Sequence, residues 1–306
     1  MLMDWLKSLR TWWRGGAAPD AAARNRLERI VLTDGVSRTL FDDFQDHRRS
    51  SRGAEEIGWL LLGHREGNNA VALAALPAGT QRDAGVAHVQ FHSDVQELAS
   101  HILRGDDRRL TIVGVVHTHP GSMRQPSGGD LQGDRLWVGQ LRGGEGAFAI
   151  GTADAHSEQP AEHQQRYGEL CFSWYALAET DTRYRPLRVQ VTIGADLAKP
   201  MRAAWNLIET HARCLNRLFR QLAKVRCEVT QEQSAPVLAM CIVLPEQKQC
   251  LRLLLNGTKA RYYWDRDGEL LAIDPREPQV DRAVFMILAE LANTPARAES
   301  ESLVES

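Results

Sequence analysis

The sequence is poor in the features that mark exported or membrane-embedded chains. Its 306 residues include only five cysteines, Cys171, Cys214, Cys227, Cys241 and Cys250, with no Cys-x-x-Cys pair among them. That spacing argues against a secreted disulfide framework and against a zinc ribbon, and it suits a reducing cytoplasm. No apolar run approaches the length of a membrane span. The opening stretch MLMDWLKSLRTWWR lacks both the continuous apolar segment and the small-residue cleavage site of a signal peptide. An excess of either charge is absent too: 37 Lys and Arg against 39 Asp and Glu leave a formal charge of −2. Nothing global therefore draws the chain to nucleic acid or anionic lipid. Internal repeats are missing as well.

What is present reads as an ordinary globular chain, 43% hydrophobic and 25% charged, of a length suited to two domains. Residues 1–26 open with Leu2, Trp5, Leu6, Leu9, Trp12 and Trp13 at helical spacing, then pass through Gly15-Gly16 into an Ala/Pro-rich linker. An apolar stripe of this kind packs on its own protein, docks on another protein, or lies on a membrane surface, and the sequence does not choose. From 27 to 194 strand and helix patterns alternate, the signature of an α/β domain with a mixed sheet flanked by helices. Arg29–Leu32, Ile57–Leu62, Ala70–Leu76, His88–Phe91, Leu110–Val116, Ala147–Ile150, Leu170–Leu177 and Leu187–Thr192 read as strands. Helices are expected over Val36–Arg48, from Ser93, and over Gly129–Leu141, with a polar surface excursion over Thr152–Gln165. At Ala195 the pattern resets into a smaller α+β domain, 195–293. It begins with a helix placed at Pro200, continues through strands with turn signals at Asn256-Gly257 and Asp267-Gly268, and closes with a helix over Val280–Leu291. Residues 294–306 form an acidic, serine-bearing tail with the composition of a disordered segment.

Chemistry concentrates in His117-Thr118-His119-Pro120-Gly121-Ser122-Met123-Arg124-Gln125-Pro126-Ser127-Gly128-Gly129-Asp130. Histidines at i and i+2 near a strand end put both imidazoles on one side of the pleat. Pro120 stops the strand, a turn-rich loop follows, and Asp130 opens a helix. Two imidazoles and one carboxylate suit a single Zn²⁺ and leave a fourth position for solvent, which is the catalytic rather than the structural arrangement. Asp134, one helical turn beyond Asp130, is an alternative third ligand, although the spacing favours Asp130. His64, His88, His92 and His101 read as structural or solvent-facing. The basic stretch His47–Arg52 reads as a solvated loop, and Cys241 and Cys250 as inert thiols in apolar strands.

This run resembles the JAMM (MPN-plus) metalloprotease motif, His-x-His-Pro, six residues, Ser-x-x-Asp, and matches it at every defined position. The family also carries a glutamate upstream, before an apolar strand ending in Leu-x-Gly, and Glu55-Glu56-Ile57-Gly58-Trp59-Leu60-Leu61-Leu62-Gly63 fills that place. The offset to Gly63 selects Glu56, with Glu55 as the alternative. The resemblance covers about 29–192 and implies an MPN, cytidine-deaminase-like fold. It also implies metal ligands His117, His119 and Asp130, Glu56 as general base and then acid, and Ser127 as donor to the oxyanion. Two positions depart from the usual pattern: Thr118 stands for the common serine between the histidines, and Trp59 for a common glycine.

Members of this family mostly cleave the amide after the C-terminal glycine of ubiquitin or a ubiquitin-like protein. The layout also resembles bacterial deubiquitinase-like members that accompany activating- and conjugating-type enzymes, including those in antiphage pathways. The resemblance thus implies a zinc isopeptidase acting on a ubiquitin-like substrate, with those enzymes as partners. Three other readings stand beside it: a peptidase on sulfur-carrier conjugates, a non-catalytic MPN scaffold, and a RadC-like DNA-repair-associated protein.

Overall fold

A computed structural model describes residues 26–79, 84–85, 88–89, 93–139, 141–154, 159–244, 249–266 and 268–293. The expected helix at the N-terminus, nearly all of its linker and the acidic tail lie outside them. The chain divides into two compact units, Met1–Trp205 and Asn206–Ser306. The division falls later than the change of pattern at Ala195, because the intervening residues are stitched to the first sheet. Leu197 N–H donates to Leu73 O at 2.9 Å, and the Asp196 carboxylate accepts from Ala75 N–H at 3.2 Å and Ala198 N–H at 2.9 Å.

The first unit is a nine-stranded mixed sheet flanked by helices. Strand β1 (Arg29–Thr33) leads into helix α1 (Asp34–Arg49). Thr33 caps the helix, its hydroxyl accepting from Val36 N–H at 3.2 Å, so the helix begins before the apolar spacing suggests. Strands β2 (Gly58–Glu66) and β3 (Asn69–Pro77) follow, then the short pair β4 (Ala84–Gly85) and β5 (His88–Val89), and helix α2 (Ser93–Asp106). Next come β6 (Thr111–Thr118), α3 (Gly128–Val138), β7 (Glu145–Thr152), β8 (Gln164–Tyr167), β9 (Leu170–Ala178), β10 (Arg185–Pro186) and β11 (Arg188–Thr192). Strand order is β10-β9-β7-β6-β2-β3-β1-β11, with β8 paired to β9.

Sheet centre and site are linked by β2 and β6, which run antiparallel. Gly58–Leu62 of β2 is buried throughout, as a strand covered on both faces must be. Ile57, Trp59 and Leu61 join Leu40, Phe41 and Phe44 of α1 in one core, whereas Leu60 and Leu62 are buried on the opposite face. Trp59 sits edge-on to Phe172 and donates its indole N–H to Asp43 at 2.9 Å. Its bulk is therefore absorbed on the α1 side. At Gly63 the register shifts, and a Cβ there would lie 1.8 Å from Val71 O, so no other residue fits this backbone.

The second unit opens at Asn206, one residue into helix α4 (Trp205–Gln221), which follows a 3₁₀ turn over Lys199–Ala204. The expected helix at Pro200 thus starts as 3₁₀ and becomes α only at Trp205; its cap, Ala198, has no side chain to hold the first amides. An antiparallel meander follows, β12 (Val225–Glu232), β13 (Ala235–Val243), β14 (Gln249–Asn256), β15 (Lys259–Arg266) and β16 (Glu269–Ile273), and then α5 (Val280–Asn293). Leu238, Met240, Ile242, Leu251, Leu253 and Leu255 alternate inward on β13 and β14, and α4 and α5 bury Ile208, Leu215, Leu218, Val284 and Ile287. His211 on α4 bonds to Gly257 O at 2.8 Å, and Arg217 pairs with Asp281 of α5.

Candidate metal centre

His117 and His119 stand at the C-terminal end of β6, where the strand leaves the sheet. His117 pairs with Gly58 of β2 and with Ile150 of β7, and His119 N–H still reaches Gly151 O at 2.8 Å. Both imidazoles project to one face because they stand two positions apart, with Thr118 alone between them. Thr118 between them faces the other way and is buried; its hydroxyl accepts from Ile57 N–H at 3.0 Å while its own N–H donates to Ile57 O at 2.9 Å. Those two bonds lock the residues before β2 against the end of β6. Continued by alternation, this register carries Glu56 to the face of the two histidines. Glu56 is buried at 5% exposure, and its charge acts on His117. Glu55 faces elsewhere, its carboxylate taken by Arg52 at 2.6 Å.

After His119 the chain turns through Pro120–Pro126 and starts α3. Ser127 is the cap: Asp130 N–H donates to Ser127 Oγ at 3.1 Å, and Ser127 N–H donates to Asp130 Oδ2 at 2.6 Å. This reciprocal pair explains why serine and aspartate stand three apart, since each satisfies an amide that the helix end would leave open. It also leaves the Ser127 hydroxyl proton available to a further acceptor, because the oxygen is used here as an acceptor.

The donor atoms converge. His117 Nε2 lies 3.2 Å from His119 Nε2 and 3.3 Å from Asp130 Oδ1, and His119 Nε2 lies 3.5 Å from Asp130 Oδ2. Ligand atoms of all three residues fall within 4.8 Å of one another, the one such group among the described residues. His119 Nδ1 bonds to Met123 O at 2.8 Å. A carbonyl can only accept, so Nδ1 carries the proton and Nε2 presents a lone pair, the tautomer a metal ligand needs. Two imidazoles and a carboxylate arranged in this way could hold a divalent cation, and the set suits zinc.

The electrostatics agree. Burial opposes a charge on His117, but Asp130, Asp134 and Glu56 outweigh it and raise its pKa above the ordinary imidazole value. Burial alone would raise the Asp130 carboxyl, yet its pairing with the two imidazoles and the hydrogen bond from Ser127 N–H hold it far below the usual carboxylate range.

Several residues that local spacing did not reveal brace the loop. Tyr175 of β9 donates its hydroxyl to Arg124 O at 2.8 Å, and the Arg124 guanidinium reaches Asp154 Oδ1 at 3.3 Å and Asp154 O at 3.1 Å. Tyr184 donates to Asp134 Oδ2 at 2.6 Å. None of these partners follows from a motif, since each lies thirty or more residues from its mate. Asp134 falls outside the converging trio. His64 and His101 pair with Asp107 and Glu97 at 3.3 and 3.9 Å, away from this group.

A family profile described as prokaryotic homologs of the JAB domain matches residues 37–170. Residues 37–170 are a JAB-type domain. The JAB-type family includes metallopeptidases and non-catalytic members. Among solved structures, protein DSY2949 from Desulfitobacterium hafniense is similar at 14% identity, with 54% of this chain and 94% of that one covered and a TM-score of 0.36. AF2198, a JAB1/MPN domain protein from Archaeoglobus fulgidus, is similar at 14% identity, with 53% and 98% covered and a TM-score of 0.28. No curated protein matches. Among the described residues, no helix is long and apolar enough to cross a membrane.

Proposed function

We propose that the JAB-type domain is a zinc-dependent isopeptidase or peptidase that cleaves the amide after the C-terminal glycine of a ubiquitin-like protein. The observation that carries this reading is the convergence of His117 Nε2, His119 Nε2 and an Asp130 oxygen within 4.8 Å, beside a buried Glu56. A cation held there supplies a Lewis acid and an ionised water near neutral pH. Glu56 takes the proton of the attacking water and delivers it to the leaving amine, which needs a carboxylate held close and partly desolvated. The Ser127 hydroxyl, with its oxygen already accepting from Asp130 N–H, turns its proton to the oxyanion of the tetrahedral intermediate. His119 keeps its ligand tautomer through Met123 O. A glycine-ended tail enters in extended form, the conformation that pairs along sheet edges.

The partners of such a reaction are a ubiquitin-like substrate and the activating- and conjugating-type enzymes that attach it. A cytoplasmic location agrees with five free thiols. The test is incubation of the full chain with C-terminal fusions of ubiquitin-like and sulfur-carrier proteins. Release at the terminal glycine of the ubiquitin-like fusion, lost with a chelator, restored by zinc and absent in Glu56→Gln, is the expected result. Release from the sulfur-carrier fusion alone would move the substrate to that class. Firm binding of zinc without cleavage of either would favour a scaffold.

A further inference from the structure

Asp130 and Asp134 are one turn apart on α3, a spacing that sets their carboxylates on the same helix face. Helix geometry alone thus offers two carboxylates to the pair of imidazoles. Only Asp130 is among the atoms that converge. The second carboxylate is taken by Tyr184, which approaches from the connection before β10 and donates its hydroxyl to Asp134 Oδ2 at 2.6 Å. The phenol is itself fixed. Phe148 meets its ring edge-on at 5.7 Å, and Tyr175, whose own hydroxyl holds the Arg124 carbonyl, meets it at 6.2 Å.

We propose that Tyr184 is a positioning residue that ties Asp134 back from a cation at His117, His119 and Asp130, so that the fourth coordination position stays open to solvent. The proposal rests on reading that trio as a metal site. A fourth protein ligand would turn an open, catalytic sphere into a closed, structural one. A nearby carboxylate is a strong competitor for that position, and a short hydrogen bond from a half-buried phenol is a direct way to engage that carboxylate elsewhere. Burial, reinforced by the charge of Asp134, raises the Tyr184 pKa above its ordinary value. The hydroxyl therefore keeps its proton at any working pH, and the tie does not titrate away.

The test uses the full chain as wild type, Tyr184→Phe, and Tyr184→Phe combined with Asp134→Asn. Phenylalanine preserves the ring against Phe148 and Tyr175, and thermal unfolding followed by circular dichroism checks that the fold survives. Zinc affinity is measured by competition with a chromophoric chelator, and coordination by the visible absorption of the cobalt(II) form. Tyr184→Phe should bind zinc about tenfold more tightly, the lower end of what the partners of ligand side chains are worth. Its cobalt spectrum should change as a carboxylate displaces solvent, while hydrolysis of the ubiquitin-like fusion falls. The double variant should return affinity, spectrum and hydrolysis to wild type. A role in packing alone would weaken metal binding in both variants without rescue, and that outcome overturns the proposal, as does a Tyr184→Phe protein indistinguishable from wild type. Either result leaves the metal-site reading standing if the wild type binds zinc. A wild type that takes up no cation overturns both.

Discussion

Two buried polar clusters in the first unit look alike at first and differ in how their charges are balanced. At Glu145 one carboxylate accepts from Leu27 N–H at 2.6 Å and Arg65 Nη2 at 3.2 Å, and pairs with Arg185. Cation and anion are both supplied by the protein, and the cluster knots the entry of β1 to β2, β7 and β10. At the end of β6 the partners of Asp130 are two imidazoles and an amide, and the two Nε2 atoms face each other at 3.2 Å. Lone pairs point at lone pairs unless a proton or a metal stands between them. The lesson is that burial of polar groups does not mark a functional site, whereas convergence of acceptors without a protein cation does.

This contrast can be broken from either side. The largest effect belongs to the ligands: His117→Ala should lower zinc affinity well beyond the roughly 10–100-fold that second partners of ligands are worth, read by chelator competition. The metal-free protein should still fold. Glu145→Ala should do the reverse, losing about 3 kcal/mol in urea unfolding because Leu27 N–H, Arg65 and Arg185 lose the buried carboxylate they share, while the folded protein keeps its metal. Ser127→Ala acts on both levels. It should reduce turnover about 10²–10³-fold if the hydroxyl serves the oxyanion, and cost about 1 kcal/mol of stability through the lost cap. A cap-only role would show the second effect without the first.

The smallest effect is the pH dependence of the metal-free protein. The Asp130 pKa is depressed on folding, so its stabilisation is present above its ordinary 3.8 and is lost as pH falls through the folded value. The His117 pKa is raised, so its stabilisation is complete below the ordinary 6.5 and is lost as pH rises through the folded value. Without metal, the trio should therefore stabilise most between those two limits and lose strength as pH rises through the folded His117 value. Zinc binding runs the other way, weakening as pH falls and His117 takes up its proton. Urea unfolding and zinc titrations at pH 5.5 and 8.5 would show both trends, and an Asp130→Asn protein should flatten the first.

Much of the fold was legible where apolar periodicity is strong. The runs Arg29–Leu32, Ile57–Leu62 and Leu170–Leu177 lie within or largely within β1, β2 and β9, because their side chains are buried and little else decides their conformation. Polar segments were not legible. The surface excursion expected over Thr152–Gln165 ends inside β8 (Gln164–Tyr167), which pairs with β9 through ladder bonds rather than apolar patterning. Of the expected strand over His88–Phe91, His88 and Val89 form β5, and residues 90–91 lie outside the described residues. Between β12 and β13, Gln233 and Ser234 both take positive φ, 50° and 69°, to form a two-residue turn without glycine, which composition conceals. At the site, the spacing of His117, His119, Ser127 and Asp130 was visible because one strand end and one helix start carry them all. The braces were not, since Tyr175, Tyr184 and Asp154 reach the loop and α3 only through the tertiary fold.

Zinc stoichiometry by mass spectrometry of the intact, reconstituted chain tests the centre most directly. Wild type should carry one zinc per chain, and His119→Ala and Asp130→Ala should carry none. A wild type that emerges metal-free, or variants that keep the wild-type stoichiometry, would contradict the assignment of these three side chains to a cation.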